Sequence, residues 1–86
     1  MKVVVNLFGA FRDLQPQAQL ELDLPEGARV ADLREALADY ARTNWSGFRP
    51  GLLACSAFAS ESAVLRDSDA LPANGPMAVL PPVSGG

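Results

Sequence analysis

The chemistry this sequence offers lies in its last residues, Leu80-Pro81-Pro82-Val83-Ser84-Gly85-Gly86. Nothing follows Gly86, so its α-carboxylate is read as free. A carboxylate with a pKa of about 3.5 is ionised at neutral pH and is a poor electrophile. It enters acyl chemistry only after activation, for example as an acyl-adenylate made from ATP. The glycines are scattered and form no phosphate-cradling loop, so another enzyme would have to supply the nucleotide site. Pro81 and Pro82 favour extended backbone near polyproline geometry and lift the chain off a sheet edge. Gly85 and Gly86 carry no side chains, which makes the tip thin. Fully extended, the segment 82–86 spans ~17 Å, enough to thread a narrow channel in another protein. A glycine-rich end is also what a disordered terminus looks like. The residues alone leave both readings open.

Other chemistries are missing. There is no histidine, which removes histidine-based triads and proton relays. A single cysteine, Cys55, excludes an intrachain disulfide and, without histidine, leaves no zinc ligand set, so no metal site is expected. Cys55 itself reads as a small apolar core residue with no base beside it rather than as a nucleophile. The formal net charge of −3 argues against nucleic acid and against an acidic membrane surface. The opening MKVVVNLFG is too short an apolar run for a signal peptide or a membrane span, and a cytoplasmic protein is expected. Asn44-Trp45-Ser46 matches a glycosylation acceptor, read here as chance. A non-catalytic binding or carrier module fits these absences better than an enzyme.

The elements that must position the end are legible in outline. At 86 residues and 49% hydrophobic, the chain is expected to form one small domain with one core. In KVVVNLF, alternation puts Val3, Val5 and Leu7 on one face of a strand and Val4, Asn6 and Phe8 on the other. One helical turn or a loop is expected around residues 10–14. QLELDLPEG alternates again, with Leu20, Leu22 and Leu24 on one side, and Pro25 and Gly27 close that strand. The first two strands suggest a hairpin. RVADLREALADYART has Val30, Leu33, Leu37 and Tyr40 at helical spacing, Asp32 in its first turn and Arg42 in its last, with Asn44 as terminator. Arg29 stands where a capping Ser, Thr or Asp is preferred. NWSGFRPG reads as a loop. LLACSAF predicts a strand over 52–58 with Leu53, Cys55 and Ala57 on one face. A short strand at 63–65, a turn at Asn74-Gly75 and a last strand at 77–80, ended by the diproline, complete the chain. One helix over a mixed sheet makes an α+β roll.

With these elements in this order, the early LFGAFRDL, the VADLREAL helix and the DALPANGPMAVLPPVSGG ending together resemble the MoaD/ThiS sulfur-carrier family, in particular the small subunits of molybdopterin synthases. The resemblance covers essentially the whole chain. It implies a β-grasp, ubiquitin-like fold over 1–81, with one main helix on the sheet, and an extended, flexible diglycine tail over 82–86. It implies an adenylating partner that uses ATP to activate the Gly86 carboxylate, and a sulfur source that converts it to a thiocarboxylate. It also implies a large subunit that holds the catalytic side chains, receives the tail and takes the sulfur onto a pterin precursor, in a heterotetramer of two small and two large subunits. This chain would bind no cofactor of its own. Pro81, Pro82, Val83, Ser84 and Gly85 would form the tail, and Phe8, Val64 and Leu80 the partner-facing patch. Pro76 stands where many relatives carry an acidic residue.

Other readings stay open at this level. The diglycine would also serve a carrier for thiamine or another sulfur-containing metabolite, or a ubiquitin-like modifier joined to lysines. An interaction domain with an inert tail is the plainest alternative.

Overall fold

Alternation along the first strand sets the two faces of the sheet. Strand β1 (Lys2–Leu7) buries Val3, Val5 and Leu7 and leaves Val4 and Asn6 half-buried in the computed structural model, which describes residues 1–15, 17–73 and 75–82. Strand β2 (Gln19–Asp23) pairs with it antiparallel, Val5 opposite Leu20 and Val3 opposite Leu22, as the expected hairpin. The connection between them runs through a single 3₁₀ turn, Gly9–Phe11, whose Phe11 is fully buried. Strands β3 (Ala57–Ala59), β4 (Val64–Leu65) and β5 (Met77–Leu80) complete the sheet. Strand β5 lies on the other side of β1 and runs parallel to it, Val5 opposite Met77 and Leu7 opposite Val79. Beyond β5 come β3 and then β4, giving the order β2-β1-β5-β3-β4.

Helix α1 (Val30–Asn44) covers one face of this sheet with Val30, Leu33 and Leu37, buried at the helical spacing expected of them, and with Ala41, while Tyr40, expected on the same stripe, is only half-buried. Burying a side chain the size of Val or Leu contributes about 1.5–3 kcal/mol. At the start of the helix, Arg29 N–H donates to Asp32 Oδ2 at 2.8 Å, the reciprocal bond of a capping box, while the Arg29 side chain has no acceptor atom to offer in return. Backbone supplies the rest. Val30 N–H donates to the Asp69 carbonyl and Ala31 N–H to the Asp67 carbonyl, both at 3.0 Å, while the Arg29 guanidinium reaches the Ser68 carbonyl at 2.6 Å. The segment 67–69 therefore takes the place of a capping side chain.

Between α1 and β3 the sequence reading needs correcting. The expected strand over 52–58 is instead helix α2 (Pro50–Ala54) followed by the short β3. Pro50 occupies the first helical turn, where its missing N–H and fixed φ cost nothing, and Leu53 is buried one turn on. A short apolar run such as LLA fits either period, and the proline at its front decides for the helix. The predicted shared face dissolves with the strand: Leu53 is buried, Ala57 is half-buried, and Cys55, the residue that ends α2, is exposed.

Two side chains tie the loops to the core. Trp45 is buried, stacks edge-on against Tyr40 and Phe48, lies tilted against Phe11, and donates from Nε1 to Gln15 Oε1 at 2.9 Å. Arg34, on α1, donates from Nη1 to the Leu53 and Ser56 carbonyls at 2.7 and 2.8 Å and from Nη2 to Asp67 Oδ1 at 2.8 Å, with its guanidinium 4.9 Å from the Phe58 ring centroid. It caps the end of α2, orients the lead-in to β3 and anchors the segment that caps α1.

Arg34→Lys should therefore destabilise the fold by about 2 kcal/mol in urea unfolding, because an ammonium cannot reproduce a planar fork that serves three acceptors. An unchanged midpoint would show the contacts to be dispensable. Cys55→Ala should change stability by less than about 0.5 kcal/mol, as expected of an exposed side chain; a larger loss would place the thiol in the core after all.

Candidate functional site

Strand register assembles the site on the sheet face away from α1. Reading across the strands, Gln19, Asn6, Ala78, Ala59 and Val64 stand in one row. On the same face Ala57 pairs with Leu80. One step beyond the paired residues of β1, Phe8 keeps extended backbone at φ −127° and ψ 158°, so it falls on the same side as Asn6, level with Leu80. The open face is thus polar at the β2 edge, where Gln19 Nε2 donates to Asn6 Oδ1 at 2.9 Å, and apolar from Phe8 through Leu80 to Val64. Phe8 is 47% exposed and Val64 68%, and among the described residues these are the exposed large hydrophobic side chains. Leu80 is half-buried between them.

The three residues expected to face a partner, Phe8, Val64 and Leu80, are therefore on one surface, and none of them is core. Exposed apolar side chains gathered on one face rather than scattered are the mark of an interaction surface. Their placement follows from strand chemistry. Phe8 is turned out by period-two alternation carried one residue past β1, Leu80 by the same alternation on β5, and Val64 by pairing with Ala59.

The chain leaves this surface directly from β5. Pro81 is half-buried and Pro82 exposed, and neither offers an N–H to continue the ladder. Val83, Ser84, Gly85 and Gly86, the remainder of the predicted tail, lie outside the described residues, as does the Asn74 of the predicted turn pair. Facing Pro81 is Gly9, which sequence reading passed over. Gly9 holds φ +57°, and a Cβ built on it would come within 2.7 Å of Pro81 Cγ. The available signal was a glycine placed straight after a strand, where a left-handed turn or a close backbone approach is the usual reason for one.

No group of His, Cys, Asp or Glu among the described residues could hold a metal ion, and no described helix is long and apolar enough to cross a membrane. The chemistry of the described surface is that of recognition: an apolar patch, a polar margin with the Lys2–Glu21 ion pair at 3.7 Å, and a backbone leaving from its border.

Comparison with known proteins agrees with this arrangement. Over 98% of its length the chain is 43% identical to the molybdopterin synthase sulfur carrier subunit of Synechococcus elongatus, of which it covers 96%. Among solved structures, SAMP1 from Haloferax volcanii superposes with a TM-score of 0.72 over the full length of both chains; at 18% identity this is a likeness of fold, the ubiquitin-like β-grasp. The Pyrococcus furiosus protein described as molybdopterin converting factor subunit 1 superposes with a TM-score of 0.66 at 29% identity, covering 95% of this chain and 98% of its own. The ThiS family model matches residues 5–86, from the middle of β1 to the last glycine, and the chain belongs to the ThiS family.

Proposed function

We propose that this protein is the sulfur carrier subunit of a molybdopterin synthase and that the α-carboxylate of Gly86 is the group it carries sulfur on. The observation that carries the reading is the 43% identity, along nearly the whole of both chains, to a relative that bears that name. The apolar face ending in a diproline is the geometry such a carrier needs, with a docking surface beside the root of a chain end that must enter another protein.

The chemistry is divided between this chain and its partners. An activating enzyme joins the Gly86 carboxylate to the AMP moiety of ATP, releasing pyrophosphate. A sulfide equivalent then displaces AMP, leaving a thiocarboxylate in which one oxygen has become sulfur. In the synthase the large subunit receives the tail, the sulfur passes to a pterin precursor, and the carrier returns to a carboxylate. A dithiolene needs a pair of sulfur atoms, which suits an assembly of two small and two large subunits. This chain contributes the docking face, the reach and the acyl group; ATP and the pterin are bound elsewhere. On this reading the protein works in the cytoplasm, and the sulfur passes along the terminus rather than through Cys55.

Phe8→Asp should weaken binding to the large subunit by about tenfold or more, because docking would bury an unpaired carboxylate, while the circular dichroism spectrum stays the same. Unchanged affinity would remove Phe8 from the interface. Deleting Gly86 should abolish sulfur loading without unfolding the domain. The carboxylate would then stop ~3.5 Å short, and misplacements of ~1 Å already cost about a hundredfold where reacting groups must align. Adding one residue after Gly86 should be as damaging, since an amide replaces the acid. Intact mass after incubation with ATP, the activating enzyme and sulfide reads both variants against the parent and against Cys55→Ala, which should load normally. Normal loading of the shortened or extended chain would end the proposal.

A further inference from the structure

The parallel pairing of β1 and β5 brings Gly9 and Pro81 together one step beyond Phe8 and Leu80. Nothing in a carrier's chemistry requires a glycine at position 9, yet the structure gives it two constraints. Its backbone lies in the left-handed region at φ +57°, where an L side chain is strained. Independently, the place its Cβ would take is filled by the Pro81 ring, with Cγ at 2.7 Å, Cδ at 3.6 Å and Cβ at 3.9 Å. The first distance is an overlap that either the ring or the turn must relieve. The turn has little room to give. Phe11, two residues on, is fully buried against Trp45, and the turn closes with Phe11 N–H donating to the Phe8 carbonyl at 3.2 Å and Arg12 N–H to the Gly9 carbonyl at 3.0 Å. Pro81 is the first residue after the last strand, is half-buried, and has no backbone N–H to fix it to the sheet.

We propose that Gly9 is a positioning residue for the C-terminal carboxylate: its bare Cα is the seat for the Pro81 ring, and that contact fixes the direction in which the backbone leaves β5. The inference rests on the sulfur-carrier reading for its functional consequence, but its structural half stands apart from it. A ring seated on a buried turn aims the segment that follows. A ring displaced from the seat turns the backbone at Pro81, the root from which the chain continues toward Gly86.

A double-mutant cycle separates the seat from simple backbone strain. Gly9→Ala should lower the melting temperature by about 4–8 °C and slow sulfur loading by the activating enzyme by about tenfold or more, with the dissociation constant for the large subunit within about twofold of the parent. Pro81→Ala removes Cγ and Cδ and retains the Cβ at 3.9 Å, so the overlap disappears. Introduced together with Pro81→Ala, Gly9→Ala should therefore cost less than about half its Tm shift and slow loading by less than about twofold. The amide chemical shifts of residues 83–86 should move in Gly9→Ala and not respond to Gly9→Ala when Pro81 has already been replaced by alanine. Equal effects of Gly9→Ala in both backgrounds would overturn the seat and leave only a glycine required by its φ. Equal loading of Gly9→Ala and the parent would overturn the positioning role. Should Gly9→Ala fail to fold, Pro81→Ala alone decides: slower loading with a folded domain and displaced tail resonances supports the seat, and parent-like loading overturns it. A parent that takes up no sulfur would instead sink the carrier reading, leaving the Tm coupling and the shifts to judge the contact.

Discussion

The parallel pairing of β1 with β5 is the constraint from which the rest of the molecule follows. Parallel neighbours cannot be joined by a tight turn, so the chain must cross over, and α1 fills that crossover on the buried face. The pairing puts the first and last strands side by side in the middle of the sheet, with Val5, Leu7, Met77 and Val79 buried beneath them. It also fixes what sits at their shared end. Phe8 and Leu80 turn outward together, and Gly9 meets Pro81. A slip of one residue in this register would send Met77 and Val79 to solvent and Leu80 to the core, dismantling core and docking face at once.

Arg34 holds the crossover's second half in place by a different kind of force. It is a charge brought partly out of water, offset by two carbonyls, a carboxylate and an aromatic face. Because the same guanidinium touches the end of α2, the lead-in to β3 and Asp67, the positions of those segments are not independent. Asp67 in turn lends its backbone carbonyl to the start of α1. The side of the sheet that bears Ala57, Ala59 and Val64 is thus held by the same contacts that hold the helix.

Much of this was legible in the residues, for reasons that differ by element. The alternation of β1 and β2, the helical spacing of Val30, Leu33 and Leu37, and the bounds of β5 are periodic signals that one sequence carries in full. Phe8 could be placed outward by counting from Val3. The α2 segment could not be read by period, because a five-residue helix is too short to show one; Pro50 was its one local mark. Trp45 gives only a loop signal in the sequence because its burial depends on Phe11, Tyr40 and Phe48 converging from separate parts of the chain. The cap of α1 is silent in the sequence for a related reason: its acceptors are backbone carbonyls at residues 67 and 69, far along the chain, and carbonyls leave no trace in residue type. Gly9 lay between these cases, visible as a glycine and silent about what it makes room for.

The borrowed cap of α1 has a consequence for how the molecule comes into being. A helix that relies on carbonyls of residues 67 and 69 to complete its first turn, beneath a sheet whose central strand is residues 77–80, cannot reach its final form while those residues are still unmade. Synthesis runs from the other end. The native contacts of α1 and of the central sheet therefore close only after nearly the last segment has emerged, and many of them join residues far apart in the chain. The strand that completes the sheet is also the one that leads into the tail, so a chain cut off before it would have neither a middle nor a working end.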